Sequence, residues 1–169
     1  LYVMIVLGLT MGMQPIVGYN FGAQKIDRVK QTLRLGIISG VVITSSGFVI
    51  CEFFPHAVSA LFTDSDELID LAVGGIRLTV LMFPFVGAQI VIGNFFQSIG
   101  KAKISIFLSL TRQLLYLLPC LLLFPNWWGL EGIWISMPVS DALAFITAVV
   151  SLMIYIKKVS KQHPATIAE

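Results

Sequence analysis

GMQPIVGYNFGAQKIDRVKQ, residues Gly12 to Gln31, begins as apolar helix, passes through Gln14, Pro15, Tyr19 and Asn20, and then turns basic within a few residues. Such a boundary suits a helix leaving hydrocarbon: Lys and Arg are costly in lipid and accumulate at its cytoplasmic edge, where they fix the depth of the helix. The rest of the chain has the same character. It is 57% hydrophobic and 12% charged, with a mean hydropathy of +0.90, whereas a soluble domain carries about 25% charge. A core of 169 residues cannot hide that much apolar surface from water, and a bilayer removes the need.

Apolar stretches near 1–23, 34–54, 71–98, 103–124 and 130–156 each approach the roughly 20 residues that carry a helix across about 30 Å of hydrocarbon. The expected fold class is all-α: a polytopic transmembrane bundle of five spans over 1–157, with 158–169 as a tail. The connectors alternate in charge. Lys25, Arg28, Lys30 and Arg34 follow the first span, Lys101 and Lys103 join the third to the fourth, and Lys157, Lys158 and Lys161 follow the fifth. The connectors around Asp64, Asp66, Glu67 and Asp70 and around Asn126 and Glu131 contain no Lys or Arg. The positive-inside rule then places the basic ends and the C-terminus in the cytoplasm. The chain begins at Leu1 inside an apolar run, so it is expected to be a piece of a longer polypeptide.

Local signals fit this scheme. Thr63 or Asp64 is the expected N-cap of the third span, with Asp66 and Glu67 in its first turn; Trp127 and Trp128 suit the headgroup layer. Gly8 and Gly12, Gly18 and Gly22, and Gly36 and Gly40 share the spacing that lets helix backbones approach closely. Cys51 and Cys120, without CxxC spacing, read as small buried hydrophobes. Pro15, Pro84, Pro119 and Pro138 lie inside four spans, where each removes a helical hydrogen bond and permits a kink.

Function in a membrane bundle is sought among its intramembrane polar groups. Gln14, Tyr19, Asn20, Gln89, Asn94 and Gln97 are the candidates for lining a cavity. Asn94 and Gln97 share a helix face, and Gln89 matches it less well. Arg112, Gln113 and Asp141 are the candidates for an ion pair or for coupling. Arg112 and Asp141 differ in depth by roughly 10 Å, a gap that a long side chain and a helix stagger can close. Such a pair either locks two helices together or changes partner during transport. Arg77, near the outer acidic loop, is expected to reach Asp70 or water. No HExxH, GxSxG, P-loop or paired carboxylate is present. His56 and His163 fall in connectors, so neither catalysis nor a metal is expected.

Several of these pieces resemble one family. GMQPIVGYNFGAQK running into RVK, PFVG at 84–87, NFFQSIGKAKIS at 94–105, RQ at 112–113, GLEGIW at 129–134 and PVSD at 138–141 are similar, in order and spacing, to bacterial multidrug and toxin extrusion (MATE) transporters. The resemblance implies a twelve-helix protein of two lobes in the bacterial inner membrane. This chain would supply helices eight to twelve, most of the C-terminal lobe, and its partners would be the N-terminal lobe and the bilayer. The implied activity is export of small cationic, amphipathic compounds in exchange for H⁺ or Na⁺, without a cofactor and without nucleic acid. The segment matching the tenth helix, 71–98, carries no Asp or Glu where one branch of the family has an acidic site, which leaves Asp141 as the deep acid. A lipid-linked oligosaccharide flippase of the same superfamily and a non-transporting membrane scaffold are the alternatives.

Overall fold

A computed structural model describes residues 2–162; residues 163–169, with His163 and most of the expected tail, lie outside it. Among the described residues every regular element is a helix: α1 (Tyr2–Gly22), α2 (Ile26–Phe53), α3 (Pro55–Ala60), α4 (Asp66–Val80), α5 (Phe83–Ser98), α6 (Ala102–Leu110), a π-helical segment (Thr111–Leu117), α7 (Leu118–Leu123) and α8 (Pro125–Gln162). Tyr2–Gly22, Ile26–Phe53, Ala102–Leu123 and Pro125–Val159 are each long and apolar enough to cross a membrane, and α4 with α5, bent at their junction, together have the length and composition of a fifth candidate crossing.

The boundaries differ from expectation where local chemistry decides. α2 begins at Ile26 rather than near residue 34, because Arg, Lys and Gln are good helix formers and no breaker interrupts them. The basic run is therefore the start of the helix, and the preceding turn is short: Lys25 N–H donates to the Asn20 carbonyl at 2.9 Å, with Gln24 left-handed at φ 59°. The outer connector contains the extra helix α3, and Ser65, not Thr63 or Asp64, is the N-cap of α4, with Asp66 and Glu67 in the first turn. The third span is broken, α4 and α5 meeting at a 49° bend. The cause is Pro84, whose ring collides with the carbonyl of residue i−4. That residue is Val80, where α4 stops.

Pro119 acts in a second way. The segment before it widens into π-helix, Leu118 N–H bonding the carbonyl of Gln113, five residues back, so the rod from Ala102 to Leu123 continues without a break. In α8, Gly129 (φ 54°, ψ −131°) breaks the helix just after its start, which puts the beginning of the last crossing near residue 130. That helix continues to Gln162, past the expected end of the bundle at 157, since lysines both favour helix and complement the negative C-terminal end of its dipole.

α5 is the central rod, packed against α1, α2, α6 and α8. Val91, Ile92, Phe95 and Phe96 on α5 meet Val6 and Val17 of α1, Leu33 of α2, Leu108 of α6 and Ala148 of α8, and Phe96 stacks edge-on against Tyr155 at 5.5 Å. Glycine sets the closest approach. A Cβ on Gly87 would land on the Gly40 carbonyl, and one on Gly36 would come within 2.7 Å of Met13 Sδ. The Gly36/Gly40 pair thus forms a helix interface, whereas Gly8, Gly12 and Gly22 have open space beside them. Cys51 and Cys120 are free and only partly buried. Met4, Met11, Leu114, Leu122 and Ile154 are exposed, an arrangement that lipid tolerates and water does not.

The basic connectors lie at one end of the bundle. Gln24 and Ile26 beside the α1–α2 turn, Lys101 and Lys103 beside the α5–α6 turn, and Lys158 near the end of α8 all line the same cleft. At the acidic end, Arg77 approaches Glu52 of α2 at 3.9 Å with both side chains partly exposed. Glu52, not Asp70, is the ion-pair partner, and the Arg77 side chain, 54% exposed, also reaches water, the other expected outcome.

Candidate functional site

A polar cleft of about 340 Å³ opens between α1, α5 and the rod that begins with α6, within the size range of small-ligand sites. Gln89, Asn94 and Gln97 of α5 line it, facing Ser105 and Ser109 of α6 and Arg112 and Gln113 of the π-helical segment. Gln89 belongs to it more fully than its spacing from Asn94 implied, because residues 89, 93 and 97 recur every four positions along one face. Its side chain is 8% exposed, and its Oε1 is buried without a hydrogen-bond partner. Gln14 of α1 does not line the cleft but bonds a residue that does, donating through Nε2 to Asn94 Oδ1 at 3.3 Å; Asn94 in turn donates to the Ile90 carbonyl at 2.9 Å.

Tyr19 and Asn20 do not reach this group. Tyr19 is 74% exposed, and Asn20 is buried, donating to the Ile16 carbonyl of its own helix at 2.8 Å. Both lie about 8 Å along α1 from Gln14 and are rotated away from its face, a displacement that proximity in sequence conceals.

Arg112 and Asp141 meet directly, Arg112 Nε donating to Asp141 Oδ1 at 2.8 Å. Their side chains are 35% and 10% exposed, so the carboxylate is the inner partner and the guanidinium looks into the cleft. Pairing offsets much of the cost of holding each charge at membrane depth. Farther along the same rods Tyr116 and Thr147 share a hydroxyl–hydroxyl bond of 2.8 Å. Sequence reasoning misses this contact, although Tyr116 lies four residues from Arg112 and therefore on the same face. The π-helical segment carries Arg112 and Gln113, and such bulges concentrate at functional sites. Pro138 sits within α8, three residues before Asp141. Trp127 and Trp128 are exposed, with rings 5.9 Å apart and perpendicular, away from the cleft. The arrangement offers neutral amides, hydroxyls and one paired carboxylate with its guanidinium.

Comparison with known proteins agrees with the all-helical fold. A family model, MatE, matches residues 1–122. The multidrug export protein MepA of Staphylococcus aureus (strain MSSA476) is 24% identical over 157 residues, which cover 90% of this chain and 33% of MepA. MepA of Staphylococcus haemolyticus (strain JCSC1435) is 24% identical over 144 residues, 85% of this chain and 31% of its own length. Among solved structures, the MATE multidrug transporter DinF-BH superposes with a TM-score of 0.85 at 37% identity, over 90% of this chain and 34% of that one. An inward-facing multidrug resistance MATE family transporter superposes with a TM-score of 0.88 at 19% identity, over 99% of this chain and 38% of that one, and carries the fold alone. The chain thus spans about a third of the length of the curated relatives it matches.

Proposed function

The chain belongs to the MatE family, a family of transporters, and on that premise we propose that it contributes the C-terminal lobe of an exporter of cationic, amphipathic compounds. The observation that carries this reading is the polar cleft, with its amides and the Arg112–Asp141 pair held inside membrane-spanning helices. A cleft of this size with neutral amides tolerates varied ligands, because no fixed array of charges selects for one. A single paired acid offers an entering cation a place to compete with Arg112, and Asp141 released from that pair can take up H⁺ or Na⁺. Binding of one cation then excludes the other at the same carboxylate, which is the requirement for exchange.

Alternating access needs two lobes moving against each other, so the N-terminal lobe is the partner on this reading. The basic end of the bundle faces the cytoplasm of a bacterial cell by the positive-inside rule. Export is tested in cells that express the complete gene product, by following accumulation of a cationic dye. The expected result is lowered accumulation that returns to the control level when the ion gradients are collapsed. Export that persists without any gradient refutes the exchange mechanism.

A further inference from the structure

At the basic end of the bundle, lysines distant in sequence converge over an apolar floor. Lys101 and Lys103, flanking the start of α6, and Lys158, near the end of α8, line a cleft of about 680 Å³. Its walls include Phe107 and Ile154, 55% and 64% exposed. Lys30 of α2 lines a small adjoining recess that shares Phe21, Ile26 and Tyr155 with this cleft. Asp27, in the first turn of α2, lines neither recess. Among the described residues the ion pairs are Arg77–Glu52 and Arg112–Asp141, and neither involves these lysines.

Converging cations repel one another unless an anion sits among them. The place in the fold specifies which anion. The lysines stand where membrane-spanning helices end, and a basic pocket between such helices binds anionic headgroups. Phe107 and Ile154 extend the same cleft from the lysines with exposed apolar surface. A free phosphate would use the ammonium groups and gain nothing from the exposed apolar wall, whereas a phospholipid uses both. We propose that this cleft is a binding site for an anionic glycerophospholipid, with its phosphodiester between Lys101, Lys103 and Lys158 and an acyl chain along Phe107 and Ile154. The site is separate from the polar cleft and does not depend on what the protein transports.

The test uses the full chain purified in a nonionic detergent and titrated with phosphatidylglycerol, with phosphatidylcholine or with inorganic phosphate. Retained lipid is read by native mass spectrometry, and stability by thermal melting. Phosphatidylglycerol is expected to be retained and to raise the melting temperature, and the other two are not. The double variant Lys101→Gln/Lys103→Gln should weaken retention by about thirtyfold, about fivefold for each lysine at ~1 kcal/mol apiece. Lys101→Arg/Lys103→Arg should keep it, as should Arg77→Gln at the opposite end. Should the Gln pair fail to fold, Lys158→Gln alone is read in the same way. Equal retention of phosphatidylcholine, undiminished binding by the Gln variants, or an equal rise with inorganic phosphate alone would overturn the proposal.

Discussion

Removing one member of the Arg112–Asp141 pair at a time should give unequal penalties. Arg112→Gln leaves a carboxylate that is 10% exposed without its cation, whereas Asp141→Asn leaves a guanidinium that is 35% exposed. Stranding a buried charge costs about 3–5 kcal/mol, and that range applies to the inner partner. The guanidinium can draw on water in the cleft, so losing Asp141 should cost about 1–3 kcal/mol, as for other polar groups left without a partner. The double variant Arg112→Gln/Asp141→Asn strands neither charge, so its penalty should fall below the sum of the singles by at least about 1.5 kcal/mol of coupling. The assay is denaturant unfolding of the chain in detergent micelles, followed by circular dichroism. Equal single penalties, or an additive double variant, would refute the claim that the pair is an energetic unit with its acid on the inside. Dye export by the complete gene product carrying Asp141→Asn, normalised to folded protein, separates the roles: unchanged export marks a helix lock, and lost export marks a coupling residue.

Three further outcomes follow from the packing. Gly87→Ala should lower the melting temperature, by about 1–3 kcal/mol of overpacking against the Gly40 carbonyl and Thr44. Gly93→Ala on the same helix has open space around it and should be neutral or slightly stabilising. Gln89→Leu should leave stability unchanged or raised in a thermal melt, because it removes a buried carbonyl oxygen that has no partner; if the cleft binds substrate, dye export should fall at the same time. Tyr116→Phe should cost about 0.5–1.5 kcal/mol through loss of the bond to Thr147, measured by the same unfolding assay, and Thr147→Val should add little once Tyr116 is gone.

The candidate site is legible in its composition but not in its membership. Asn94 and Gln97 stand out because amides in hydrocarbon are conspicuous and their spacing shares a face. Tyr19 and Asn20 stand out equally, yet they turn elsewhere on α1, because an apolar setting in sequence carries no information about azimuth. A tyrosine in an apolar run, such as Tyr116, reads as packing until its hydroxyl is seen to meet Thr147. Arg77 has Asp70 near it on the same helix, but Glu52 approaches it from α2.

Residue order by itself determined that this chain is a set of membrane-length helices whose lysine- and arginine-rich turns gather at one end. Both facts come from transfer free energies, which each residue carries wherever it sits. Of the four prolines that permit a kink, Pro84 stands at the break between α4 and α5, whereas the rod across Pro119 continues. The tertiary structure alone decided which polar groups meet: that Arg112 reaches Asp141, that Gln14 bonds Asn94, and that Gly87 rather than Gly8 or Gly12 is an interface. Those outcomes depend on the rotation and stagger of each helix about its neighbours, and these emerge only when side chains interlock across the bundle.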